Sequence, residues 1–232
     1  TSATASTPVA VAGGHNFNRI ASGAGFTCGI TPAGDAWCWG ANSIGQLGDG
    51  GPINYGNVYK STPNAVTGGL KFQGISLGNQ YACAVTTGGQ GYCWGSNNGK
   101  FGNGLMTDSS SPKAVSGGLL FQAISAGYGH ACGVTTTFEA WCWGSNGSGQ
   151  LGATVANGST VPVRAGGTLL FAEVAAAGIA TGSAAHSCGI SKDRLTTWCW
   201  GRNDVGQLGN GTTTPGANAN TTPSIVVGQK PL

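Results

Sequence analysis

Residues 132–144 read Cys132-Gly133-Val134-Thr135-Thr136-Thr137-Phe138-Glu139-Ala140-Trp141-Cys142-Trp143-Gly144. Two short runs of β-branched and aromatic residues flank a polar stretch, the pattern of strand, turn and strand. The same arrangement returns as Cys28-Gly29-Ile30-Thr31 to Trp37-Cys38-Trp39-Gly40, Cys83-Ala84-Val85-Thr86 to Tyr92-Cys93-Trp94-Gly95, and Cys188-Gly189-Ile190-Ser191 to Trp198-Cys199-Trp200-Gly201. The first Cys recurs after 55, 49 and 56 residues, and all eight Cys and all seven Trp fall inside these segments. Recurrence at a fixed period marks a repeat architecture.

Each unit extends in both directions. Upstream stands a Phe-x-x-Ile/Val element: Phe17 and Ile20, Phe72 and Ile75, Phe121 and Ile124, Phe171 and Val174. Before it comes a Pro element: Thr7-Pro8-Val9-Ala10-Val11, Thr62-Pro63-Asn64-Ala65-Val66, Ser111-Pro112-Lys113-Ala114-Val115 and Val161-Pro162-Val163. Downstream comes a turn: Gly45-Gln46-Leu47-Gly48, Gly99-Lys100-Phe101-Gly102, Gly149-Gln150-Leu151-Gly152 and Gly206-Gln207-Leu208-Gly209. Four short extended pieces per unit, at this period, predict an all-β propeller-type array of four four-stranded antiparallel blades. A lone sheet has a face it cannot hide, and stacking blades covers it. The eight Phe, Ile and Val residues of the upstream elements are expected to be mostly buried.

Residues 1–232 then form one repeat domain, with blades near 6–61, 62–110, 111–160 and 161–221. A fifth Pro element, Thr222-Pro223-Ser224-Ile225-Val226-Val227, makes residues 222–232 a surplus strand. It closes a ring with the N-terminal strand, or pairs with another chain through an open edge, or belongs to a longer array.

The cysteines within each pair lie 10, 10, 10 and 11 residues apart. In the first unit the turn Pro32-Ala33-Gly34-Asp35 is centred near their midpoint, so the two Cys face each other across a hairpin. Facing residues of antiparallel strands stand within disulfide reach. Structural zinc sites use Cys pairs about two to four residues apart, unlike these, and no C-x-x-C redox motif is present. The reading favoured over metal ligands or reduced thiols is therefore four disulfides, Cys28–Cys38, Cys83–Cys93, Cys132–Cys142 and Cys188–Cys199. Disulfides imply an oxidising compartment: secreted, periplasmic or cell surface.

Composition agrees with many short strands and tight turns. Gly contributes 44 of 232 residues and 40% are hydrophobic, whereas only 7% are charged. The net charge is +3 from scattered basic residues, without the basic stripe of a nucleic-acid binder. No apolar run approaches the ~20 residues of a membrane span.

The string Gly127-Tyr128-Gly129-His130-Ala131-Cys132-Gly133-Val134, followed by Trp141-Cys142-Trp143-Gly144-Ser145-Asn146 and Gly149-Gln150-Leu151-Gly152, resembles the regulator-of-chromosome-condensation repeat. The resemblance runs over about residues 6 to 228. It implies a β-propeller, usually of seven blades, where this chain shows four units. Paired Cys at these positions resemble secreted bacterial members. The family includes a nuclear exchange factor, a plant photoreceptor and a secreted enzyme inhibitor, so fold alone does not choose a function.

Candidate sites are few. His130 and His186 occupy a register filled by Phe26 and Tyr81 in other units, which points to packing or hydrogen bonding rather than catalysis. The seven acidic residues show no paired arrangement. No catalytic, cofactor or metal residues are expected. Binding is expected instead in the loops that depart from the repeat: Tyr55 and Tyr59 in the first, and residues 176–185, with Ile179 and Thr181, in the fourth. The expectation is a non-enzymatic extracellular or periplasmic protein-binding module. Its alternatives are a structural subunit that self-associates by strand exchange and, third, an unrecognised enzyme.

Overall fold

The computed structural model describes residues 5–178, 185–214 and 220–228. It contains four four-stranded antiparallel sheets. The first holds β1 (Arg19–Ser22), β2 (Phe26–Ile30), β3 (Ala36–Ala41) and β4 (Tyr59–Ala65). The second holds β5 (Phe72–Leu77), β6 (Tyr81–Thr86), β7 (Gly91–Gly95) and β8 (Ser109–Ala114). The third holds β9 (Phe121–Ala126), β10 (His130–Thr135), β11 (Ala140–Ser145) and β12 (Gly158–Arg164). The fourth holds β13 (Phe171–Ala177), β14 (His186–Ser191), β15 (Thr197–Gly201) and β16 (Asn220–Ile225). Strands follow chain order within every sheet. The sheets stack in sequence as propeller blades: β5 lies on β1 and β2, β9 on β5 and β6, and β13 on β9 and β10.

Each second and third strand form a hairpin in which the two Cys are register partners, Cys28 with Cys38 and so on through Cys188 with Cys199. All four pairs are disulfide-bonded, with Cα atoms 4.0–4.1 Å apart. A loop of this length stabilises by roughly 2–3 kcal/mol on the chain-entropy model. Side chains alternate across a strand, so Trp39, Trp94, Trp143 and Trp200 leave the sheet on the face opposite the sulfurs.

That sidedness builds the core. The Cys28 and Cys38 face of the first blade packs on Ala82, Ala84 and Trp94 of the second. Cys83 and Cys93 pack with Ala131 and Trp143 of the third. Cys132 and Cys142 pack with Trp200 of the fourth. Each interface is locked by one hydrogen bond from an indole to the turn of the preceding blade: Trp94 Nε1 donates to the Gln46 carbonyl (3.1 Å), Trp143 to Lys100 (2.7 Å) and Trp200 to Gln150 (2.9 Å). Glycine is required two residues later in that turn. A Cβ on Gly48, Gly102 or Gly152 would stand 2.7–3.0 Å from the indole, and each has a positive φ of 63–70°.

The Pro elements end sheets rather than begin them. Pro63, Pro112, Pro162 and Pro223 lie in β4, β8, β12 and β16, the fourth strands at the sheet edges. Proline has no N–H for a ladder and is confined to such edges. Residues 220–225 are therefore not surplus, because Ile225 pairs with Trp198 and Ser224 with Cys199. The unmatched copy is the first, Thr7–Val11, which is exposed and lies in no strand.

Burial of the upstream elements follows their place in the stack. Phe72, Phe121, Ile124, Phe171 and Val174 are buried, and Ile75 is partly buried. Ile20 departs from expectation at 65% exposed, and Phe17 is half-buried, because no other blade among the described residues packs on that face of the first sheet. Trp143→Phe keeps the ring but strands the buried Lys100 carbonyl. Its urea midpoint is expected to fall by about 1–3 kcal/mol equivalent, and an unchanged midpoint would contradict the latch.

Candidate functional site

His130 joins two neighbouring blades. His130 is fully buried, and its Nε2 lies 2.8 Å from Ser187 Oγ on the next blade. The Ser187 hydroxyl donates to the Gln150 carbonyl at 2.9 Å. Its proton is thus committed, so it accepts from His130 and the ring carries its hydrogen on Nε2. Tyr81, at the same register one blade earlier, donates to the His130 carbonyl at 2.7 Å. The slot is a bridge between neighbouring blades. Burial, with a smaller contribution from the His186 charge, lowers the His130 pKa to about 3.

The loops between third and fourth strands share one internal design. Each is rooted by one buried Asn: Asn42, Asn97, Asn146 and Asn203 are at most 4% exposed. Their side-chain oxygens accept from the backbone N–H of Leu47, Phe101, Leu151 and Leu208. Their amide nitrogens reach outward into the loop, Asn97 to the carbonyls of Leu105 and Thr107, and Asn42 to the Asp49 carboxylate. The Tyr55 loop is pinned further. Tyr55 adopts a left-handed conformation at φ 51°, which costs an L residue about 1–2 kcal/mol. Its backbone N–H donates to the Ser43 carbonyl, and its hydroxyl donates to Asp108 at 3.3 Å in the next blade's loop. The Asp108 charge raises the phenol pKa.

Tyr55 and Tyr59 are 71% and 73% exposed. Leu105 and Met106, in the loop that Asp108 joins to Tyr55, are 57% and 63% exposed. Two adjoining loops thus present large apolar side chains on fixed backbone. Beneath Lys100 the chemistry is different: its amine lies 4.8 Å from the Tyr81 ring centroid, and burial lowers its pKa to about 8 against the raising effect of Asp108. An open cleft of about 860 Å³ lies along the first strands of three blades, lined by Arg19, Ile20, Gln73, Ile75, Gln122 and Ile124 among others. No group of three His, Cys, Asp or Glu among the described residues could hold a metal ion.

One model of the regulator of chromosome condensation (RCC1) repeat matches residues 17–46 and 121–150, and a second matches 33–85. Among solved structures, Prp20p from Saccharomyces cerevisiae is similar with a TM-score of 0.76 and 19% identity, covering 95% of this chain and 53% of that one. Human WBSCR16 matches with a TM-score of 0.74 and 16% identity, covering 92% and 54%. The CRINKLY WD40 ectodomain of the Arabidopsis thaliana receptor kinase ACR4 matches with 0.54 and 21%, covering 83% and 58%. The fold is that of an RCC1-repeat β-propeller. This chain spans about half the length of the solved structures it matches.

In this RCC1-repeat array the sequence-derived contacts separate. Tyr55 lies on exposed ground between β3 and β4, and Tyr59 is the exposed first residue of β4. Ile179 and Thr181 lie outside the described residues. Leu105 and Met106 escaped the sequence reading because their loop does not depart from the repeat in length. The four bracket Asn carried a usable signal, since each stands four or five residues before the Leu or Phe of the Gly-rich turn.

His130 also sets a pH dependence. The unfolded chain takes a proton on this residue near pH 6.5, but the folded chain only near 3. The unfolded state therefore binds more protons between those values, so stability is full above about pH 6.5 and falls as pH drops toward 3. His130→Tyr copies the Tyr81 side chain and is expected to flatten that slope relative to the parent in thermal melts. Equal slopes for both proteins would refute the assignment.

Proposed function

We propose that this RCC1-repeat propeller is a non-enzymatic protein-binding module of an extracellular or periplasmic compartment. The observation that carries the reading is the pair of adjoining loops, rooted on buried Asn, that hold Tyr55, Leu105 and Met106 out to solvent, with Tyr59 exposed at the start of β4. Tyr supplies large contact area with few rotatable bonds, and exposed apolar groups on a rigid frame favour binding because little order is lost. Among the structural neighbours, Prp20p is described by its binding to Gsp1p and histones. The four disulfides favour an oxidising compartment. No helix among the described residues is long and apolar enough to cross a membrane.

The test is capture of a partner from the native extracellular fraction, followed by the double variant Tyr55→Ala, Met106→Ala. Both side chains are exposed, so melting should stay within about 0.5 kcal/mol of the parent. Binding is expected to weaken at least tenfold. A partner held equally well by that variant would move the site elsewhere, and turnover of a small-molecule substrate would overturn the module reading.

A further inference from the structure

Three of the four Gly-rich turns are clamped by a glutamine. The side-chain oxygens of Gln46, Gln150 and Gln207 accept from the backbone N–H two residues earlier, that of Ile44, Ser148 and Val205, at 2.9, 2.9 and 3.0 Å. The second blade has Lys100 at that register, and an ammonium group has no lone pair to offer. The corresponding N–H, that of Asn98, has no partner among the described residues. The first and third turns are tied a second time, by the N–H groups of Gly45 and Gly149 to the Asn42 and Asn146 carbonyls. In the second turn that bond has moved one residue on, from Lys100 N–H to the Asn97 carbonyl at 2.8 Å, which leaves the Gly99 N–H without a partner among the described residues.

Asn98 and Gly99 form a chemically labile pair. With no side chain on the glycine, its backbone nitrogen can approach the asparagine carboxamide unhindered. A fold restrains that reaction by fixing the carboxamide or by engaging the glycine N–H. The chain contains five Asn-Gly pairs, and four are restrained. Asn103 accepts from the Leu105 N–H, and Gly104 donates to the Thr160 carbonyl. Asn146 is buried and bonded through both ends of its carboxamide. Gly158 opens β12, and its N–H is committed to the Ala156 carbonyl. Asn210 accepts from the Thr212 N–H and donates to the Ser224 hydroxyl. Asn98 alone is exposed with its carboxamide unbonded among the described residues and an unbonded glycine N–H after it.

We propose that Asn98 is a site of spontaneous deamidation, converted by water to an aspartyl or isoaspartyl residue. The Gly99 nitrogen attacks Asn98 Cγ and closes a succinimide ring. Its proton leaves with the carboxamide nitrogen, and ammonia is released. Water then opens the ring at either carbonyl. Opening at Cγ restores the main chain with an aspartate side chain. Opening at the α-carbonyl routes the main chain through Cβ and Cγ and lengthens it by one methylene. That methylene enters between Asn97, which roots the loop of Leu105 and Met106, and Lys100, whose carbonyl takes the Trp143 N–H. The conversion therefore loosens the join between the second and third blades from its turn side.

Incubation of the folded chain at mildly alkaline pH tests this, with peptides mapped by mass spectrometry and aspartyl and isoaspartyl forms separated by chromatography. Asn98 is expected to convert about tenfold faster than any other Asn-Gly pair, the factor by which one hydrogen bond that must first open slows a step. Lys100→Gln rebuilds the clamp of the other three turns and is expected to slow Asn98 by a similar factor, with the other pairs at parent rates. In the isoaspartyl form, hydrogen exchange at Trp143 Nε1 should quicken while Trp94 is unchanged. First conversion at another pair overturns the proposal, as does an Asn98 that stays intact when folded but converts in the urea-unfolded chain. Equal Asn98 rates in parent and Lys100→Gln overturn the missing clamp as its cause, and unaltered Trp143 exchange overturns the coupling to the blade interface.

Discussion

A four-stranded sheet of this kind has two apolar faces and no second layer of its own. Everything else in the molecule follows from how that exposure is ended. The solution is a single contact used repeatedly, in which an indole from one blade lies against the backbone of a glycine turn in the blade before it. The indole contributes area, and its N–H satisfies a carbonyl that would otherwise be buried unpaired. Phe72, Phe121 and Phe171 tilt against these indoles at 5.7–5.9 Å, so the first strand of each blade is tied to the same point. Because the contact joins unlike faces, a stack of blades always ends in one unsatisfied face of each kind.

The low charge and high Gly content follow from the same demand. Blades approach closely where the Gly-rich turns meet the indoles, which leaves no room there for a long charged side chain to be solvated. Lys100 shows the cost of an exception. It replaces Gln in one turn, loses hydration, and recovers part of it from the Asn79 carbonyl, the Ser96 hydroxyl and the Tyr81 ring. Between the third and fourth blades the contact is a neutral one, His130 with Ser187.

Much of this was legible in the sequence. The hairpins and their disulfides could be derived because a Cys spacing centred on a turn fixes register. The number of strands per blade could be read from turn residues. The phase of the repeat could not. A Pro element between two units belongs equally to either in sequence, and only edge pairing assigns it to the preceding sheet. The exposure of Ile20 was hidden for a related reason, since a repeat pattern gives every unit the same burial whatever packs against it. The bracket Asn residues were passed over because Asn is common in turns. Tyr55 and Tyr59 stand out in sequence because their stretch departs from the repeat, whereas the exposed Leu105 and Met106 do not, because their loop keeps its length.

Buried Asn, indole and glycine hold the blades, and the loops between third and fourth strands are rooted on the same buried Asn. The claim beneath all of it is that three indole hydrogens bridge blades. Hydrogen exchange of the indole Nε1–H groups, followed by NMR, tests it directly. The account predicts that Trp94, Trp143 and Trp200 exchange only through opening of the blade interfaces, many orders of magnitude slower than free tryptophan. Exchange of those three at the rate of a solvent-exposed indole would contradict it.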